Sequence, residues 1–89
     1  MKHLNITVKG VVQGVFFRAS TKDQADQLGI CGLVRNELDG SVYAEAEGED
    51  FQLNIFLSWL SEGPPAARVE SVETAYAILQ NHSGFEITG

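Results

Sequence analysis

The chain has 89 residues, 44% of them hydrophobic, with 12 acidic and 6 basic side chains and a formal net charge of −6 at pH 7. This length suits one domain, residues 1–89, near the lower limit of what folds without staples. The charge argues against nucleic acid, which needs clustered Lys and Arg on the protein, and no apolar run approaches the ~20 residues that cross a bilayer.

His3 to Lys9 alternates, with Leu4, Ile6 and Val8 on one side and Asn5, Thr7 and Lys9 on the other, which predicts a half-buried strand. Gly10 to Gly14 then reads as a loop. From about Phe17 to Leu28 the spacing of Phe17, Thr21, Ala25 and Leu28 predicts a helix, closed by Gly29. Ile30 to Asn36 is apolar enough for a central strand, and Asp39-Gly40 marks the hairpin turn to a partner strand through Val42, Ala44 and Ala46.

A second helix starts at Gly48-Glu49-Asp50, with Leu53, Phe56, Leu57 and Leu60 as its core stripe, widened by Ile55 and Trp59, and stops at Gly63-Pro64-Pro65. Ala67 to about Ala77 predicts a strand whose Val69 and Val72 are three apart, the mark of a bulge. Phe85 and Ile87 suggest a short last strand. The order strand, helix, strand, strand, helix, strand makes an α+β, ferredoxin-like sandwich: an antiparallel sheet with both helices on one face and a short fifth strand. That architecture hosts binders and enzymes alike, so function has to come from a site.

The segment Val8 to Arg18 joins the first strand to the first helix. Such a loop can aim several backbone N–H groups, here from about Gly14 to Arg18, at one oxyanion, with the helix dipole adding positive potential. Arg18 in the first helical turn opposes that dipole by a few tenths of a kcal/mol. A bound anion removes the conflict; the competing reading is a surface arginine paired with Asp or Glu. Asn36, similarly, is either a polar group serving a site or the start of the hairpin turn.

Val8-Lys9-Gly10-Val11-Val12-Gln13-Gly14-Val15-Phe16-Phe17-Arg18 resembles the first acylphosphatase signature at every fixed position. Gly32-Leu33-Val34-Arg35-Asn36, followed by Gly40, Val42 and Gly48, resembles the second, with Leu33 where an aromatic residue is usual. The resemblance spans essentially the whole chain. It implies a hydrolase that splits acyl phosphates into a carboxylate and inorganic phosphate, the latter also a competitive inhibitor. It further implies that Arg18 and the backbone amides of Gln13, Gly14, Val15, Phe16, Phe17 and Arg18 hold the phosphoryl group, and that Asn36 positions the attacking water. No cofactor and no metal are implied, and the expected partner is a small-molecule acyl phosphate only.

Other chemistries fit less well. A Cys-x5-Arg phosphatase loop on Cys31 would need arginine where Glu37 stands, so Cys31 is expected as a small buried hydrophobe, and a lone cysteine excludes an internal disulfide. His3 and His82 lie at opposite ends of the chain and are expected to be solvated, as are Glu45, Glu47, Glu49 and Asp50. An RNA-recognition module needs stacking aromatics on its third strand, where Ser41 to Glu47 offers Tyr43 and two acids. An accessory domain that keeps an anion pocket without efficient turnover is the alternative within the resemblance, and Glu37 beside Asn36 is the residue that would weaken binding of a dianion. Met1 to Asn5 lacks an apolar signal segment, so a cytoplasmic monomer is expected, and Asn5-Ile6-Thr7 and Asn81-His82-Ser83 are chance matches to the glycosylation pattern.

Overall fold

Alternation in the strands and a three-to-four-residue rhythm in the helices carry through to the folded chain. The computed structural model describes residues 1–89 and contains β1 (Lys2–Val11), α1 (Phe17–Leu28), β2 (Cys31–Asn36), β3 (Val42–Gly48), α2 (Asp50–Glu62), β4 (Arg68–Ala77) and β5 (Phe85–Ile87). The strands form one sheet in the order β4-β1-β3-β2-β5. β1 runs antiparallel to β3 and β4, and β2 antiparallel to β3, while β5 lies parallel to β2 and makes the sheet mixed. The cause is directional. β4 and β2 run in opposite senses, so a chain leaving β4 and crossing that end of the sheet must travel beside β2 in the direction of β2.

One face of the sheet carries the core. Leu4, Ile6 and Val8 of β1, Val34 of β2, and Val42, Ala44 and Ala46 of β3 meet Phe17 and Ala25 of α1 and Leu53, Phe56 and Leu60 of α2. Each large side chain buried there stabilises by ~1.5–3 kcal/mol. α1 lies over β2 and β5, and α2 over β4, β3 and β1. The seam of α2 is narrower than the sequence suggests: Ile55 is 51% exposed, because it sits one residue, about 100° of helix, before the fully buried Phe56. Trp59 is half-buried and leans on Phe17, with ring centroids 5.9 Å apart.

The helix ends are chemically defined. Gly29 closes α1. At the start of α2 the Glu49 N–H donates to Gln52 Oε1 at 2.7 Å while the Glu49 side chain accepts from the helix, a capping box. The bulge predicted in β4 lies at Glu70: Lys9 pairs with Ser71 and Gly10 with Val69, which accounts for the three-residue spacing of Val69 and Val72. β1 itself continues past Gly10 to Val11. In β2, Gly32 has φ 153°, and a Cβ there would stand 1.8 Å from the Glu45 carbonyl oxygen, so only glycine lets β2 approach β3 at this point.

The other face departs from the sequence-based expectation. His3 and Glu47, expected in solvent, are 1% and 2% exposed. They are direct partners in the β1–β3 register, and the connection between β4 and β5 folds over them. Glu47 accepts hydrogen bonds from the backbone N–H of Gln80, the backbone N–H of His82 and the His3 ring. Burial would push its carboxyl up, but those three donors outweigh that and hold it at about 2. His82 is also not a free terminal side chain, for its ring stacks on His3 at 5.8 Å. Cys31 is half-buried rather than part of the core.

Candidate active site

The turn from β1 into α1 is built from residues 12–16, and its shape follows from two left-handed residues. Gly14 has φ 75°, which costs glycine little. Phe16 has φ 62° and ψ 26°, an uncommon conformation for an aromatic residue that costs on the order of 1–3 kcal/mol. Phe16 stands at the N-cap of α1 with no side-chain capping bond, and it is 82% exposed. Among the turn, loop and cap hydrogen bonds none is donated by a backbone N–H between Gln13 and Ala19; the next donor along the chain is Ser20, to Phe16 O at 3.1 Å. The loop and the first helical turn therefore present a row of free donors at the positive end of α1.

A cavity of about 360 Å³ opens at this point, lined by Val12, Gly14, Phe16, Phe17, Arg18, Ala19, Asn36 and Ile87. Arg18 forms no ion pair, although the chain carries twice as many acids as bases. Asn36 enters from the end of β2, on the face the helices cover, opposite Val42. Its Oδ1 is buried and has no hydrogen-bond partner. An unsatisfied buried acceptor costs about 1–3 kcal/mol, which a donor bound in the cavity would recover.

Of the residues singled out from sequence, Gly14, Phe16, Phe17, Arg18 and Asn36 share the wall of this cavity, while Gln13 and Val15 do not line it. Val15 packs on the core. The Gln13 side chain instead reaches across to the β2–β3 hairpin, where its Nε2 donates to Glu37 O at 2.7 Å and to Ser41 O at 2.9 Å. It fastens the loop to the hairpin and so to Asn36. Glu37 points elsewhere, its carboxylate 3.3 Å from Arg35 Nε, and Arg35 in turn lies 4.6 Å over the Tyr43 ring. Val12, already part of the first signature, Ile87, read from sequence only as part of a short strand, and Ala19, which carried no signal, complete the wall. Ile87 arrives through β5, which Thr88 N–H ties to Val34 O at 2.9 Å.

The acylphosphatase family model matches residues 4–87. The chain belongs to the acylphosphatase family. An acylphosphatase of Archaeoglobus fulgidus is 48% identical over 84 residues, covering 94% of each chain. One from Mannheimia succiniciproducens is 53% identical over 66 residues, 74% of this chain and 73% of the relative. The crystal structure of the Bacillus subtilis acylphosphatase superposes with a TM-score of 0.97 at 33% identity, covering all of both chains. This family member is an enzyme, and family and fold together support hydrolysis of acyl phosphates. None of its helices is long and apolar enough to cross a membrane.

Proposed function

We propose that the chain hydrolyses acyl phosphates in the cavity at the start of α1. Arg18 and the amides from Gln13 to Arg18 hold the phosphoryl group, and Asn36 positions the attacking water. The observation that carries this reading is the meeting, in one small cavity, of an arginine without a carboxylate partner and an asparagine oxygen that is buried and unpartnered. The planar guanidinium grips two phosphoryl oxygens, and the helix N-terminus and loop amides take the third. Asn36 Oδ1 accepts a hydrogen bond from the water and orients its oxygen toward phosphorus, opposite the leaving group, and the water's protons stay with the phosphate that forms. The new P–O bond forms as the bond from phosphorus to the carboxylate oxygen breaks. A carboxylate leaves and inorganic phosphate remains, bound where the substrate phosphoryl was, which makes it a competitive inhibitor.

A carboxylate is a good leaving group, so the reaction needs positioning and charge stabilisation more than a strong acid. The cavity wall offers no Asp, Glu, His or Cys, and with no such donor set the phosphoryl charge falls to Arg18 and the amides instead of a divalent cation. We take the chain to act as a monomer on a small anionic acyl phosphate, its formal net charge of −6 being unsuited to nucleic acid.

Kinetics of Arg18→Ala, Arg18→Lys and Asn36→Ala on benzoyl phosphate test the assignment. Arg18→Ala weakens both turnover and inhibition by phosphate, and Arg18→Lys does not restore them, since an ammonium lacks the planar fork. Asn36→Ala leaves the phosphate inhibition constant near wild type while kcat falls on the order of a hundredfold, about 2.7 kcal/mol of barrier. Normal turnover in folded Asn36→Ala would remove Asn36 from the mechanism.

A further inference from the structure

The buried polar cluster on the open face of the sheet takes no part in the chemistry above. It lies at the start of β1, on the opposite face from the cavity and about 25 Å along the strand from the loop. It holds three groups that sequence spacing keeps apart: His3, Glu47 and His82 each place a ligand-type atom within 4.8 Å of the others. Glu45, two residues before Glu47 on the same face of β3, completes it.

The hydrogen bonds sort these groups into roles. Glu47 already accepts from two backbone N–H groups, and a carboxylate only accepts, so the His3 nitrogen 2.8 Å away, Nδ1, carries the proton. In the neutral ring this leaves the Nε2 lone pair free. That nitrogen faces two more acceptors, Asn5 Oδ1 at 2.9 Å and Glu45 Oε1 at 3.4 Å. The same Glu45 oxygen lies 3.3 Å from His82 Nε2. The other Glu45 oxygen is held by the Tyr43 hydroxyl at 2.9 Å, which fixes the carboxylate. A His3 ring protonated on both nitrogens satisfies these acceptors by itself, whereas a ring protonated on Nδ1 alone leaves Nε2, Asn5 Oδ1 and Glu45 Oε1 as lone-pair donors around one point, the arrangement a metal ion takes.

We propose that His3 Nε2, His82 Nε2 and Glu45 Oε1 bind a Zn²⁺-type divalent transition metal, with Asn5 Oδ1 or water in the fourth position. Ligands about 2.0–2.1 Å from a tetrahedral zinc stand ~3.3 Å from one another, and both distances to Glu45 Oε1, 3.4 and 3.3 Å, match that edge. Two imidazoles and a carboxylate suit zinc and exclude magnesium, which prefers an all-oxygen octahedron. Glu47, by accepting from Nδ1–H, sets the tautomer and orientation of the His3 ring as carboxylates behind metal-bound histidines do. The ion can enter from solvent, because the side chains of His82 and Glu45 are 20% and 15% exposed while that of His3 is fully covered. Once bound, it clamps β1, β3 and the connection leading to β5.

Titration of the untagged full chain with ZnCl2 by calorimetry, together with thermal unfolding, tests the site. One Zn²⁺ binds per chain, and a hundredfold excess of Zn²⁺ over its Kd raises Tm by ~10 °C or more. His82→Ala weakens binding at least ~100-fold, and Glu45→Gln weakens it by a similar factor, while hydrolysis of benzoyl phosphate by both variants stays at the wild-type rate. Absence of Zn²⁺ binding, equal binding of Mg²⁺, or wild-type affinity in either variant would overturn the proposal. If one variant does not fold, the other decides alone.

Discussion

Gln13 gives the sharpest test of how the loop and Asn36 are kept in register. Gln13→Ala removes two amide hydrogen bonds, to Glu37 O at 2.7 Å and Ser41 O at 2.9 Å. Neither carbonyl is orphaned, because Glu37 O still accepts from Gly40 N–H at 3.2 Å and Ser41 O from Glu37 N–H at 2.9 Å. The loss therefore sits at the low end, about 1–2 kcal/mol for the pair, equivalent to a Tm drop of roughly 4–16 °C in a domain of this size. Activity should suffer more than this destabilisation explains. With the tether gone, the amides that hold phosphate and the asparagine that holds water no longer share one frame, and a displacement of ~1 Å costs on the order of a hundredfold. The expected result, at a temperature where the variant is fully folded, is a kcat lowered at least ~10-fold with a smaller change in phosphate inhibition. A folded Gln13→Ala protein with wild-type kcat and a lowered Tm would refute the positioning argument and leave the side chain a purely structural bond.

Other perturbations have equally definite outcomes. Gly32→Ala places a Cβ 1.8 Å from the Glu45 carbonyl oxygen at φ 153°, so it should cost about 4 kcal/mol or more; a stable, well-folded Gly32→Ala in a denaturant titration would contradict the close approach. Glu37→Gln should leave KM and kcat within about twofold of wild type in steady-state assays, because the carboxylate faces Arg35 and not the cavity. Excess EDTA should leave kcat for benzoyl phosphate unchanged, and activity lost on chelation and restored by Mg²⁺ would require a metal in the catalytic step.

What the sequence discloses is what is local. The glycine-rich loop, the helix after it and the Asp-Gly hairpin each rest on residues within a few positions of one another, and Arg18 and Asn36, read from such segments, stand in the wall of one cavity. The histidine cluster is invisible in the same text, because His3 is 44 residues from Glu47 and His82 is 35 residues from it. Only the β1–β3 register and the returning connection bring them together. Phe16 gives no warning of its left-handed backbone, since an aromatic residue is among the least expected there. Ile87 shows no sign of reaching the cavity until the direction of β5 is known, and the tether made by Gln13 depends on where the hairpin carbonyls lie.

The strand order also governs how the molecule comes into being. β1, the first strand made, has as its neighbours β3 and β4, so His3 finds its partner Ala77 only across almost the whole sequence. Closing so wide a loop costs backbone entropy before any pairing returns it, which slows such a domain relative to small folds built from local contacts. During synthesis, β1 to α2 can emerge while one edge of β1 still lacks its partner. Until β4 arrives, the apolar face of β1 and its open backbone edge are available to any other extended strand nearby.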